Sequence, residues 1–204
     1  QKLTEGFVCS NLSDNFEGLS FKKIPISFVE ENSVKISIKA ASLNFPDLLM
    51  TQGKYQNKPN LPFALGMEGA GIVSEVGSSS CSFKEGDEVM FGSWGHGAIA
   101  KEIVLPESML SQKPKSYSFE EAAAFKTVYL TAFVGLIRRG NLVEGENLLV
   151  HGATGGVGMA AVELGKLYGA RVIATGTSNE KLEIVKSWGA DPVSYTHLTL
   201  PTRS

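Results

Sequence analysis

Between residues 148 and 191 the apolar positions pass from a continuous run to helical spacing and back. Leu148, Leu149 and Val150 form an unbroken apolar run, the pattern of a parallel strand buried on both faces. After a glycine-rich turn, Ala160, Ala161, Leu164, Leu167 and Tyr168 recur at helical spacing from Val157 onward. Arg171 to Thr175 reads as a second strand and Asn179 to Trp188 as a second helix, with Gly189 at the place past a helix end that favours glycine. Before residue 118 the texture differs. Val34 to Ala40 alternates with period two, and residues 66–77, 87–91 and 98–105 are further short strands between glycine-rich turns. Ser118 to Glu121 is a capping box leading into 122–125, and Val128 to Arg139 continues as a helix ending at Gly140. Strands followed by alternating strands and helices predict an α/β chain with a β-rich part. A β-rich domain spans 1–122 and a partial dinucleotide-binding domain spans 123–191, with a ligand expected in the cleft between them. No internal repeat or low-complexity segment interrupts this order.

The turn itself carries the chemistry. Ala153, Gly155 and Gly158 stand at the spacing of a G-x-G-x-x-G fingerprint with Ala at its first place. Glycine at 155 lets the backbone approach a pyrophosphate, glycine at 158 lets helix and strand pack closely, and the N–H groups and dipole of the helix favour phosphate. A bare fingerprint is as often a structural turn; the flanking strand, helix and second strand tip the reading toward a nucleotide. Ala153, Thr154, Gly155, Gly156, Val157 and Gly158 are the candidate contacts. An enzyme preferring NAD has an acid after the second strand, to bond the ribose 2′-hydroxyl. This chain has Gly176, Thr177 and Ser178 there, with Lys181 close behind. Two unit charges about 4 Å apart interact by about 4 kcal/mol at an effective dielectric near 20, so Lys181 without an acid favours a 2′-phosphate. NADPH is the expected cofactor, with Thr177, Ser178 and Lys181 on its phosphate side. The plainer alternative is a capping box of Thr177 and Glu180 with Lys181 merely solvated.

Composition narrows the setting without changing the picture. The chain has 204 residues, 43% hydrophobic content and a net charge of −2, an ordinary globular balance. No basic excess points to nucleic acid, and no apolar stretch approaches the roughly 18 residues of a membrane span. Cys9 and Cys81 lie in unrelated segments without metal spacing, so a reducing, cytoplasmic setting is expected. The chain begins at Gln1, which leaves a leader and a mitochondrial location open.

From about residue 7 to Asp191 the chain resembles the quinone oxidoreductase group of the medium-chain dehydrogenases/reductases. The resemblance rests on AASLNFPDLLMTQGKYQ (40 to 56), LPFALGMEGAGIVSEVG (61 to 77), KEGDEVM (84 to 90) and SFEEAAAF (118 to 125), leading into the glycine-rich unit. It implies a GroES-like β domain plus the first half of a Rossmann domain, a homodimeric full-length form, and hydride transfer from NADPH to quinones or other α,β-unsaturated carbonyl compounds. The same scaffold serves trans-2-enoyl thioester reductases, and a non-catalytic, crystallin-like NADPH-binding role is the reading from another class. Zinc-dependent relatives hold metal with a Cys and a His where this chain has Asn44 and Met67, neither a competent ligand in that role, and the four-cysteine structural lobe is missing. No metal is expected.

Without zinc, catalysis rests on positioning and hydrogen bonds. The resemblance places the candidate catalytic residues, with Asn44 beside the nicotinamide and ribose, Thr131 on the interdomain helix facing the nicotinamide, and Tyr55 at the substrate cleft, where it is a candidate to hydrogen-bond a carbonyl oxygen or supply a proton. Asn44 and Tyr55 have plainer alternatives, as a turn residue before Pro46 and as loop packing. A second cleft tyrosine of some relatives is Phe63, which leaves the proton donor unassigned. Asp47 reads as a helix-start residue, Glu68 as structural, His96 as a loop histidine and His151 as packing at the end of the first Rossmann strand. PVSYTHLTLPTRS (192 to 204) begins like a further strand at Val193 and Tyr195, then loses all correspondence with the family and reads as a non-native tail.

Overall fold

The alternation that marks residues 34–40 sends Val34 and Ile36 inward, fully buried, while Lys35 and Ser37 face outward. A computed structural model describes residues 2–78, 82–93, 97–191 and, for the backbone alone, 193–195. Cys81, His96, Pro192 and residues 196–204 lie outside the described residues. The chain divides into two units, residues 1–127 and 128–204.

In the first unit the strands are β1 (Leu3–Cys9), β2 (Leu19–Pro25), β3 (Ser33–Ala41), β4 (Phe63–Ala64), β5 (Glu68–Val76), β6 (Glu88–Gly92), β7 (Glu102–Pro106) and β8 (Leu110–Gln112). A short helix α1 (Phe45–Thr51) follows β3. Five strands form one antiparallel sheet in the order β7-β3-β5-β6-β8, and β2-β1-β4 form another. Val34, Ile36, Val73, Val89, Phe91 and Leu105 make the core of the larger sheet. The smaller sheet is less legible in the sequence: β2 is exposed over most of its length and shows no clean alternation. The strand expected over 98–105 starts later, at Glu102, because residues 98–100 bond instead to the 65–66 segment and to β1.

The second half follows α2 (Phe119–Ala123), which opens on the expected capping box. The Ser118 hydroxyl accepts the Glu121 N–H at 3.1 Å, and the Glu121 carboxylate accepts the Ser118 N–H at 2.7 Å. Helix α3 (Lys126–Phe133) continues as a π-helical segment over Val134–Arg139. It ends at Gly140 as expected, but the Gly140 N–H reaches back five residues to the Gly135 carbonyl at 2.8 Å and φ there is −79°, so the glycine is not a left-handed cap.

The second unit holds β9 (Asn147–Val150), α4 (Gly156–Leu167), β10 (Arg171–Gly176), α5 (Asn179–Ser187) and β11 (Val193–Tyr195), with the three strands parallel in the order β11-β10-β9. Its core joins Val150, Ala153, Ala160, Val162, Val172, Ala174 and Val185. One expectation is corrected. In β9 only Val150 is buried, and Leu149 is 52% exposed, because β9 stands at the edge of the three described strands and nothing described covers its outer face. Gly189 carries φ +103°, the left-handed conformation expected after α5.

Candidate functional site

In the second unit the parallel register pairs Val150 with Ala174, so the turn after β9 and the segment after β10 emerge at the same edge, the carboxyl ends of the strands. Ala153 is fully buried and its N–H bonds the Thr175 carbonyl at 3.0 Å, which ties the turn to β10. Thr154 is half-buried; Gly155, Gly156 and Val157 are exposed. Gly155 is the N-cap of α4 and supplies no side-chain cap, whereas Ser118 and Ser178 cap α2 and α5. The first turn of α4 therefore keeps N–H groups without a side-chain acceptor, which is what an anion requires.

The two glycines of the fingerprint answer to different neighbours. A Cβ at Gly158 would lie 2.4 Å from the Gly152 carbonyl oxygen and 2.7 Å from the Ala153 Cα, so the packing of helix against turn demands glycine. A Cβ at Gly155 would meet only the Gly152 carbonyl oxygen, at 3.6 Å, and φ is −89°. The fold leaves that space open. A pyrophosphate resting on the backbone would fill it, so these residues fit a dinucleotide.

Beyond β10, Gly176 is buried, Thr177 is exposed and Ser178 is half-buried. The expected pairing of Thr177 with Glu180 is replaced: Ser178 is the N-cap, its hydroxyl accepting the Lys181 N–H at 3.4 Å. The backbone turns into the helix one residue later than the spacing suggests, which leaves the Thr177 side chain outside the cap. Lys181 is exposed, and among the described residues its side chain makes no ion pair. His151 is exposed, and its Nδ1 lies 2.9 Å from the Thr175 Oγ1, a link between the ends of β9 and β10. Thr131 is on an exposed face of α3, beside the buried Ala132.

The first unit holds a second constellation. Asn44 is the N-cap of α1, and the buried Asp47 accepts its N–H at 2.8 Å and that of Gly66 at 3.2 Å. Burial pushes the Asp47 carboxyl above the usual carboxylate range, opposed by those two N–H donors and reinforced by the Glu68 charge. Glu68, 1% exposed, opens β5. Its Oε1 accepts from the Ser42 hydroxyl at 2.6 Å and the Asn44 Nδ2 at 2.9 Å, and its Oε2 accepts the Thr127 N–H at 2.7 Å. Burial lowers the half-buried Lys126 ammonium, whose Nζ bonds the Met109 carbonyl at 3.0 Å, while the Glu68 charge acts the other way. The sequence marks Asn44 and reads Glu68 as structural, but it does not join the two or bring in Ser42 and Thr127, since no local spacing relates Glu68 to the others.

Tyr55 is elsewhere in this unit, half-buried against the apolar cluster of Cys9, Met50, Phe63, Leu65 and Met67. The Met67 thioether is therefore core, and Asn44 offers only a neutral amide oxygen, so the two residues at the zinc-ligand places do not fit a zinc ion. Among the described residues no group of three or more His, Cys, Asp or Glu is placed to hold one. No helix among them is long and apolar enough to cross a membrane.

The alcohol dehydrogenase GroES-like domain family matches residues 30–115, and the zinc-binding dehydrogenase family matches residues 156–201. The chain thus belongs to the medium-chain dehydrogenase/reductase family, with a GroES-like domain followed by Rossmann-type structure. It is 41% identical over 167 residues to the quinone oxidoreductase-like protein 2 homolog of Nematostella vectensis, covering 81% of this chain and 46% of that relative. The solved quinone oxidoreductase of Pseudomonas syringae is 36% identical, with a TM-score of 0.85 over 96% of this chain and 60% of that one. The Thermus thermophilus quinone oxidoreductase, solved also in complex with NADPH, is 32% identical, with a TM-score of 0.81 over 93% and 59%. A solved enoyl reductase, CurK, is 29% identical, with a TM-score of 0.83 over 95% and 59%. The chain spans about half the length of the curated relatives it matches.

Proposed function

We propose that this chain belongs to a zinc-independent oxidoreductase that transfers hydride from NADPH to quinones or other α,β-unsaturated carbonyl compounds. The observation that carries the proposal is the open backbone at Gly155 on an uncapped α4, at the same sheet edge as a β10 terminus that has Lys181 and no acid. The residues Ala153 to Gly158 cradle the pyrophosphate, and Thr177, Ser178 and Lys181 receive the 2′-phosphate. NADPH, when bound, supplies the hydride. Asn44 holds the nicotinamide and its ribose, with Thr131 assigned to the same end. Tyr55 belongs to the substrate side, where its half-buried ring supplies a wall rather than an obligatory acid. The family likeness to quinone oxidoreductases supports the acceptor class, and the likeness to an enoyl reductase favours, as a second reading, a trans-2-enoyl thioester.

The test is a fluorescence titration with both cofactors. NADPH is expected to bind more tightly than NADH, and Lys181→Ala to weaken NADPH alone. Equal affinities would remove the cofactor assignment. Tight NADPH binding without oxidation by any quinone, enone or enoyl thioester would instead establish a binding protein.

A further inference from the structure

The buried carboxylate of Glu68 does more than fill space beside Asn44. An ionised carboxylate can only accept hydrogen bonds, and both of its oxygens are engaged, Oε2 by the Thr127 N–H and Oε1 by the Ser42 hydroxyl and the Asn44 Nδ2. The single Ser42 proton goes to Glu68, so the Ser42 oxygen is itself an acceptor toward Asn44, whose Nδ2 lies 3.1 Å away. Turning the Asn44 amide over would bring its carbonyl oxygen against two acceptors at 2.9 and 3.1 Å with no proton between them. Glu68 is 1% exposed, so on its side water does not relieve that contact. Asp47 holds the backbone that carries the amide by accepting the Asn44 and Gly66 N–H groups, and in the capping box its own N–H faces the Asn44 side chain, which favours the same sense of the amide and leaves Oδ1 a further lone pair.

We infer that Glu68 is a positioning residue that sets the polarity of Asn44, so that Asn44 presents Oδ1 as an acceptor to a donor group of the cofactor, a ribose hydroxyl or a carboxamide N–H. It follows that Asn44 does not polarise the carbonyl of the acceptor substrate. This inference rests on the reading of Asn44 as a cofactor-side residue.

The experiment uses the whole chain labelled with 15N at asparagine, with the Asn44 side-chain resonances assigned by their loss in Asn44→Ala. In the unsubstituted protein one amide proton of the pair is expected well downfield and slow to exchange, and in Glu68→Gln that shift collapses. NADPH affinity is then measured through a double-mutant cycle. Asn44→Ala and Glu68→Gln are each expected to weaken binding by about two- to tenfold, and the double variant to be no weaker than Asn44→Ala alone. An ordinary amide pair that Glu68→Gln leaves unmoved, or losses that multiply, would overturn the inference. Should Glu68→Gln not fold, Asn44→Asp decides: a second carboxylate against Glu68 is expected to weaken NADPH binding more than Asn44→Ala, and an equal or milder effect overturns it. If Asn44→Ala leaves NADPH binding intact, the cofactor-side reading of Asn44 fails, and the amide resonances still report whether Glu68 sets its orientation.

Discussion

Gly155 and Gly158 lie on one turn yet are required by different partners, and substitution separates them. Alanine at 158 forces its Cβ into the Gly152 carbonyl and the Ala153 backbone, which cannot swing aside as a side chain would. Gly158→Ala is expected to lower stability by about 1–3 kcal/mol, read from urea unfolding. At 155 the protein itself leaves room, and serine is a better N-cap than most residues. Gly155→Ser is therefore expected to keep or raise stability while weakening NADPH binding about tenfold or more, by occupying the ground of the pyrophosphate. Loss of stability without loss of affinity would reverse the assignment. The fingerprint spacing makes both glycines legible in the sequence. The cap at Ser178 is less so, because Thr177 and Ser178 are both good caps and only the path of the backbone chooses between them.

At the level of elements, β10 is held by more than its strand neighbours. The turn after α5 is pinned back to it by Asp191, whose N–H bonds the Val172 carbonyl at 2.8 Å and whose carboxylate accepts the Val172 N–H at 3.0 Å and the Lys166 ammonium at 2.9 Å. Lys166 first, and then the Val172 N–H, hold the Asp191 carboxyl below the usual carboxylate range. A depressed folded-state pKa means that the folded state binds fewer protons than the unfolded state. The contribution of Asp191 is thus fully present above the ordinary carboxylate range and is lost as pH falls through the depressed value. The stability gap between the unsubstituted protein and Asp191→Asn is expected to narrow on acidification in urea titrations from neutral to acid pH. A gap that widens would contradict the geometry. The strands most visible in the sequence are those with one wet face, such as β3; β2, exposed on most positions, shows no period to read, and β9 stands where its apolar run predicts but is less buried than that run suggests.

For the whole molecule the proposed chemistry divides between the two units, a candidate phosphate cradle in the second and a polar cluster around Asn44 in the first. Since Met67 lies in an apolar cluster and Asn44 offers only a neutral amide oxygen, the pair does not supply a zinc site. NADPH binding, and any NADPH-dependent reduction of quinones, are expected to survive exhaustive chelation. Stoichiometric zinc in purified protein, removed together with activity, would defeat the zinc-independent reading.

What the sequence determined by itself is whatever depends on neighbours within a few residues. The spacing of Ala153, Gly155 and Gly158 between a strand and a helix, the absence of an acid after Gly176, the alternation from Val34 and the capping box at Ser118 are local, and local spacing specifies local geometry. Tertiary structure decided the surroundings of Asn44. Register pairs Ala41 with Gly69 across β3 and β5, which sets Ser42 and Asn44 beside Glu68, and the fold brings the Thr127 N–H to the other carboxylate oxygen. Strand register and chain path bring together groups that no sequence period relates, and burial then makes their hydrogen bonds obligatory.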